Sequence, residues 1–292
     1  MTSAIDNDTV FTPLLTTTDW NEEWKQLQTA REHFDDPAVW DERAKTFPVK
    51  HGSQHGYAER FLELAALKPG ETVLDMGCGT GALATPLAQK GHPVVACDFS
   101  QGMLRVMEDD LASLGVSNVD IHVMSWDDNW NEHGIGENSV DVAFASRSIA
   151  TYDLRQALEK LTRAARRRVC ITLPASLSPK SDDKLLAAAG FENGIGRDFL
   201  YAFNILAAMG ASPEVSYIPN TRLEVFDSFE DAVEGFTTIV RGAVNGLATP
   251  EQMDDIPRRL RPWLQENGVE DETGFHLKEP RNVTWAFLAW NR

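Results

Sequence analysis

Basic residues are in short supply in this chain of 292 residues: 27 Lys and Arg face 44 Asp and Glu, for a net charge of −17. Binding a nucleic acid relies on neutralising phosphates with a basic face, so this balance argues against a polyanionic partner. The one local exception, Arg163, Arg166, Arg167 and Arg168, falls at the predicted end of a helix, where cations complement the dipole. Cysteine is scarce too. Cys78, Cys97 and Cys170 lie in or beside apolar runs that read as central strands, and none stands at metal-ligand spacing from another. They read as small buried side chains, and a reduced, cytoplasmic setting is expected, with no metal. No apolar run approaches the roughly 18 residues of a membrane span. Nor does a basic segment followed by an apolar stretch open the chain, so neither membrane insertion nor secretion is expected.

What is present begins with 42% apolar residues, enough for a core. The chain is organised around Val73-Leu74-Asp75-Met76-Gly77-Cys78-Gly79-Thr80-Gly81, an apolar strand ending in an acid and then a turn with glycine at every second position. A helical stretch follows, with Leu83 and Leu87 on one face and Gly91 placed to supply a left-handed C-cap. Glycine in such a turn lets the backbone approach a ligand closely, where a Cβ would block the approach or forbid the dihedrals. A second strand, Val94-Val95-Ala96-Cys97-Asp98, also ends in an acid. A doubly wound sheet places there the carboxylate that takes two ribose hydroxyls.

Turn and acid together make this chain resemble the class I S-adenosylmethionine-dependent methyltransferases, over roughly residues 70 to 174 plus the last strand. The resemblance implies an α/β, Rossmann-like doubly wound fold with a mostly parallel seven-stranded sheet and an antiparallel closing strand. It implies S-adenosylmethionine as cofactor, with Asp75, Gly77, Cys78, Gly79 and Gly81 around its amino acid end and Asp98, Phe99 and Ser100 at the ribose. By the same resemblance Met103 packs on the adenine. The family usually has an acid after the third strand for the adenine amino group, and this chain has Ser125 there. Either Ser125 with the Trp126 backbone serves, or Asp127 does. The fourth strand runs into Ser146, Arg147 and Ser148 at the sheet edge where ligands bind in open parallel folds. It lacks the Asp/Asn-Pro-Pro-Tyr/Phe signature of enzymes that methylate nucleobase amino groups.

Residues 1–67 read as a tail, to about residue 16, and a helical cap. Helices are expected from Asp19 (Trp20, Trp24, Leu27), from Asp36-Pro37 (Trp40, Ala44, Phe47) and over Tyr57 to Leu67. Similar methyltransferases close an N-terminal helix over the cofactor, which makes Arg43 and Tyr57 candidate contacts, with His51 and His55 in the adjoining loop. Residues 68–292 form the methyltransferase core. Within it, about 175–270 read as an inserted substrate lid, containing a helix from Phe199 to Met209, strand-like runs Glu214 to Ile218 and Arg222 to Phe226, and an amphipathic helix from Ser228. Gly274 to Leu277 and Asn282 to Trp290 read as a closing hairpin.

The expected activity is methyl transfer to a small-molecule acceptor. The alternatives are a protein or RNA methyltransferase, or a cofactor-binding regulator without turnover. Transfer from a sulfonium needs alignment and dehydration more than acid–base groups, so no catalytic residue is identified. Arg43, Tyr57, Arg147, Tyr152, Tyr201 and Asn204 are the candidates for lining the acceptor pocket.

Overall fold

The computed structural model describes residues 14–31, 36–46, 55–191 and 197–292. The expectations for residues 1–13, Phe47 and His51 lie outside that set. In chain order the strands are β1 (Val73–Met76), β2 (Val94–Asp98), β3 (Val119–Val123), β4 (Val140–Ser146), β5 (Ala165–Pro174), β6 (Glu214–Arg222), β7 (Val225–Phe226), β8 (Gly268–Asp271), β9 (Gly274–Leu277) and β10 (Arg281–Asn291). Seven of them form one sheet in the order β3-β2-β1-β4-β5-β10-β6. Strands β1 to β5 pair in parallel, and β10 lies antiparallel between β5 and β6. The expected α/β architecture is therefore present.

Pleating sends alternate residues of each strand to opposite helical layers. In β10, Ala286, Leu288 and Trp290 enter one core, and Trp285, Phe287 and Ala289 the other. The first layer holds α7 (Leu154–Ala164) and α9 (Asp198–Ala208), overlaid by α2 (Trp20–Ala30), which follows the single turn α1 (Leu14–Thr17) and whose Trp24 is fully buried. The second holds α4 (His55–Ala65), α5 (Ala84–Gln89) and α6 (Gln101–Leu114). Phe61 of α4 anchors this side, edge-on to Phe144 at 4.9 Å and to Phe287 at 5.2 Å. Its truncation to alanine would cost about 3–5 kcal/mol. Helix α3 (Pro37–Ala44), capped by the Asp36 carboxylate, packs on α6.

A third apolar cluster stands apart from both. It joins α8 (Asp183–Ala188), α10 (Phe229–Ala243) and α11 (Pro250–Asn267) to Phe275 and Leu277 of β9, which pairs with β7 and β8 in a three-stranded sheet.

Three expectations are corrected here. The segment 175–270 is not one insertion: α9 packs in the helical layer, and β6 is the edge strand of the main sheet. Gly274–Leu277 does not form a hairpin with the last strand, because Phe275 and Leu277 are drawn into the third cluster. Of the four arginines, only Arg163 ends a helix; Arg166, Arg167 and Arg168 open β5 and pair with Asp141, Glu71 and Glu214.

Candidate active site

Beyond Met76 the chain turns through Gly77 (φ +73°), Gly79 (φ +55°) and Gly81 (φ +83°). A Cβ on Gly77 would lie 2.3 Å from the Ser148 Cβ, and one on Gly81 would lie 2.7 Å from the Met107 Cγ. At Gly79 it would meet nothing within 4 Å, so only the left-handed dihedral demands glycine, and the main chain there is approachable. The Gly77 and Cys78 N–H groups donate to the Cys97 carbonyl at 2.7 and 3.0 Å, tying the turn to β2. Asp98 completes the tie: its Oδ2 accepts from the Gly79 N–H at 2.8 Å and its Oδ1 from the Ser100 N–H at 2.9 Å. Asp75 is 2% exposed, accepts from the Ala84 N–H, and has an Oδ2 with no hydrogen-bond partner. Burial, and then the neighbouring Asp98 charge, push its pKa up to about 7 against the pull of Ala84 and Arg147. Burial also raises the thiols of Cys78, Cys97 and Cys170, which are packing groups.

A second wall rises from the ends of β4, β5 and β10. The Tyr57 hydroxyl of α4 bridges Ser146 Oγ and Thr172 Oγ1, both at 2.8 Å. Arg147, at φ +61°, donates its N–H to Thr172 Oγ1 and lays its guanidinium 4.3 Å from the Tyr57 ring centre and 6.0 Å from that of Trp285. A left-handed non-glycine residue costs about 1–3 kcal/mol, and such strain gathers at ligand sites. Burial raises the Tyr57 phenol above its ordinary pKa, with Arg147 opposing.

The third wall is α3. Asp41 Oδ1 accepts from Ser100 Oγ at 2.6 Å and from the Gly102 N–H at 2.8 Å, while Ser100 Oγ caps α6 by accepting from the Met103 N–H. Below it, Trp126 donates its indole N–H to the Ser148 carbonyl at 2.9 Å.

A family described as a methyltransferase domain matches residues 73–168. An uncharacterized protein of Haemophilus influenzae is 32% identical over 274 residues, covering 92% of this chain and 94% of its own length. Demethylmenaquinone methyltransferase of Corynebacterium glutamicum is 30% identical over 141 residues, covering 47% of this chain and 57% of that enzyme, so this chain spans little more than half of it. In fold, the YcgJ protein of Bacillus subtilis superposes with a TM-score of 0.51 over 82% of this chain and 98% of its own, at 13% identity. This chain belongs to the class I S-adenosylmethionine-dependent methyltransferases.

The methyltransferase's own residues fit its cofactor. The Asp75 Oδ2 without a partner suits a cationic amino group, the approachable main chain at Gly79 suits the amino acid end, and Asp98 stands at the end of β2. Met103 is 2% exposed at the start of α6, beside Ser100. Phe99 links Asp98 to the Ser100 cap, and Ser146 is bound to Tyr57. Of the residues expected near the adenine, Ser125 Oγ accepts from the Asp127 N–H at 3.2 Å, and the Asp127 side chain is exposed.

Of the acceptor candidates in the methyltransferase, the structure brings Tyr57 and Arg147 together and disperses the rest. Arg43 is exposed and stacks on Trp40, and Tyr152 is 61% exposed. Tyr201 lies across the sheet from Tyr57, packed on Trp20 and Trp24 with its hydroxyl on Glu23; Asn204 bonds its own helix at Leu200. Helical spacing could not reveal this, because α2 claims that face. Each of Asp41, Ser148, Thr172 and Trp285 reaches the site from a different element; Asp41 and Ser148 stand in segments that the sequence marks, beside Arg43 and Arg147, whereas Thr172 and Trp285 carry no such signal.

Proposed function

We propose that this methyltransferase modifies a small-molecule acceptor in the cytoplasm, bound between the glycine turn and the wall of Tyr57 and Arg147. The observation that carries this reading is the burial of that wall: Tyr57, in the first turn of α4, is only 4% exposed with its hydroxyl engaged twice. A wall this buried suits a small acceptor better than the backbone of a folded macromolecule. The net charge of −17 disfavours RNA in the same sense. The name of the Corynebacterium relative points to a quinone precursor and that of a Saccharothrix syringae relative to nocamycin, both small molecules.

S-adenosylmethionine supplies the methyl on a positively charged sulfur. The protein's part is to hold and desolvate: Asp75 and Asp98 bind the cofactor's cationic and hydroxyl groups, and Tyr57 and Arg147 orient the acceptor. Incubation with methyl-labelled S-adenosylmethionine and fractionated cell extract tests the reading. Label in a low-mass product is expected; label confined to protein or RNA would overturn it.

A further inference from the structure

The strand register continues the Tyr57 wall beyond Arg147. In the β6–β10 pairing Ile218 stands opposite Trp285, and Arg222 opposite Arg281. Ile218, Trp285 and Phe287 face the core under α4, and the two-residue pleat puts Arg222 and Arg281 on that same face, nearer the carboxyl ends of the parallel strands. Three arginines therefore gather above one edge of the site.

Their partners differ. Arg281 is accounted for, since it is 5% exposed and bonded to Asp182 at 2.8 Å, to Glu224 and to the Lys180 carbonyl. Arg222 donates from one terminal nitrogen to the Pro179 carbonyl at 3.2 Å, while its Nε is buried and meets no acceptor. The Trp285 indole N–H is also buried without an acceptor, in a residue 5% exposed. Burial, chiefly, and the charges of Arg281 and Arg147 hold Arg222 below the ordinary arginine pKa despite Glu224. A buried donor left without an acceptor is costly, and folded proteins keep few of them. Two of them on one face, sharing Arg147 as a neighbour, form a donor-rich and positively charged lining in an acidic protein, with Glu224 bonded to Arg281.

We propose that the acceptor carries an oxyanion, a carboxylate or a phosphate monoester, held by Arg147, Arg222 and the Trp285 N–H. This rests on the small-acceptor reading above. The anion would be captured by charge-assisted hydrogen bonds, and the net charge of −17 makes such a local cationic seat necessary for an anionic ligand to enter.

The test has two arms. In the first, low-mass extract is passed over an anion exchanger before labelling. Acceptor activity retained on the resin is expected, and phosphatase treatment separates the two oxyanions, since only a phosphate ester would then lose its acceptor activity. Acceptor activity that flows through untreated would overturn this inference and leave the small-acceptor reading standing, whereas label found only in macromolecules would overturn that reading itself. In the second arm, the protein saturated with S-adenosylhomocysteine is titrated with benzoate, phenyl phosphate and neutral benzyl alcohol. The anions should bind at least about tenfold tighter than the alcohol. That preference should fall about tenfold in Arg222→Met and be reduced in Trp285→Phe, which keeps an aromatic ring but removes the indole N–H. Equal binding of all three probes, or displacement of S-adenosylhomocysteine by the anions, would overturn the proposal; the latter would assign these cations to the cofactor's own carboxylate.

Discussion

Two carboxylates set the character of the site, and they are not equivalent. Asp98 is satisfied by the Gly79 and Ser100 N–H groups, whereas Asp75 has one oxygen without a partner and a pKa near 7. An unfolded aspartate titrates near 3.9, so between about pH 4 and pH 7 the folded protein holds a proton on Asp75 that the unfolded chain has released. The corresponding stability is complete below about pH 4, declines as pH rises to about 7 and is flat beyond. Carboxylates with lowered pKa values, such as Asp41, Glu71 and Asp141, slope the other way at lower pH, so the contribution must be read by difference. Urea unfolding at about pH 5 and pH 8 should show a smaller loss of stability in Asp75→Asn than in the parent, and a reduced loss in Asp98→Asn, which lacks the neighbouring charge. Identical pH slopes in all three proteins would refute the assignment. Much of this pair was legible in the sequence, because each acid ends an apolar strand beside a glycine turn. In the wall opposite, Tyr57 and Arg147 are candidates by sequence, but their assembly with Thr172 and Trp285 is not legible there, since only the sheet order joins them.

Elements were legible by period and illegible by partner. Helices α4, α6 and α10 follow their apolar stripes, and Ser100 and Ser228 cap α6 and α10 as their positions suggest. Strand pairing is non-local, which is why β9 and β10, neighbours in sequence, read as a hairpin while β9 belongs to a different sheet. Helix α3 shows how a single missing atom can decide an element's place. A Cβ on Gly102 would come within 2.9 Å of the Asp41 Cα and 3.2 Å of the Ala44 Cβ, so only glycine lets α3 sit down on α6. Gly102→Ala should therefore push α3 off and break the Asp41 bonds to Ser100 and Gly102. The better helix former would offset the loss by about 0.5–1 kcal/mol within α6. The expected signature is faster hydrogen exchange over residues 36–46, weaker S-adenosylmethionine binding by calorimetry, and little change in overall melting. If exchange in α3 is unaltered, the close approach does not hold that helix in place.

At the scale of the whole molecule, the chain builds one sheet with two helical layers and a separate apolar cluster beside the acceptor wall. We infer that this cluster, rather than the whole of 175–270, is the substrate lid. One joint between cluster and sheet is Arg281 at the start of β10, whose guanidinium reaches Asp182 before α8, Glu224 before β7 and the Phe236 ring of α10 at 5.4 Å; a second lies after α10, where the Asn245 side chain donates to the Arg31 carbonyl. The same residue sits in register with Arg222, so the joint of the lid is also the rim of the proposed anion seat. Arg281→Leu would leave two carboxylates without their shared cation at a largely buried joint, a loss of about 3–5 kcal/mol. Because the lid cluster has its own core, that loss should fall on it selectively. Hydrogen exchange resolved by segment should show α8, α10 and β7 losing protection while β1, β4 and β5 keep theirs, and S-adenosylmethionine binding should survive. Methyl transfer should nevertheless fall, because closure of the lid excludes water from the acceptor site. Protection lost evenly across both cores would mean that the two unfold as one unit, and an unchanged rate of transfer would mean that the third cluster only braces the sheet.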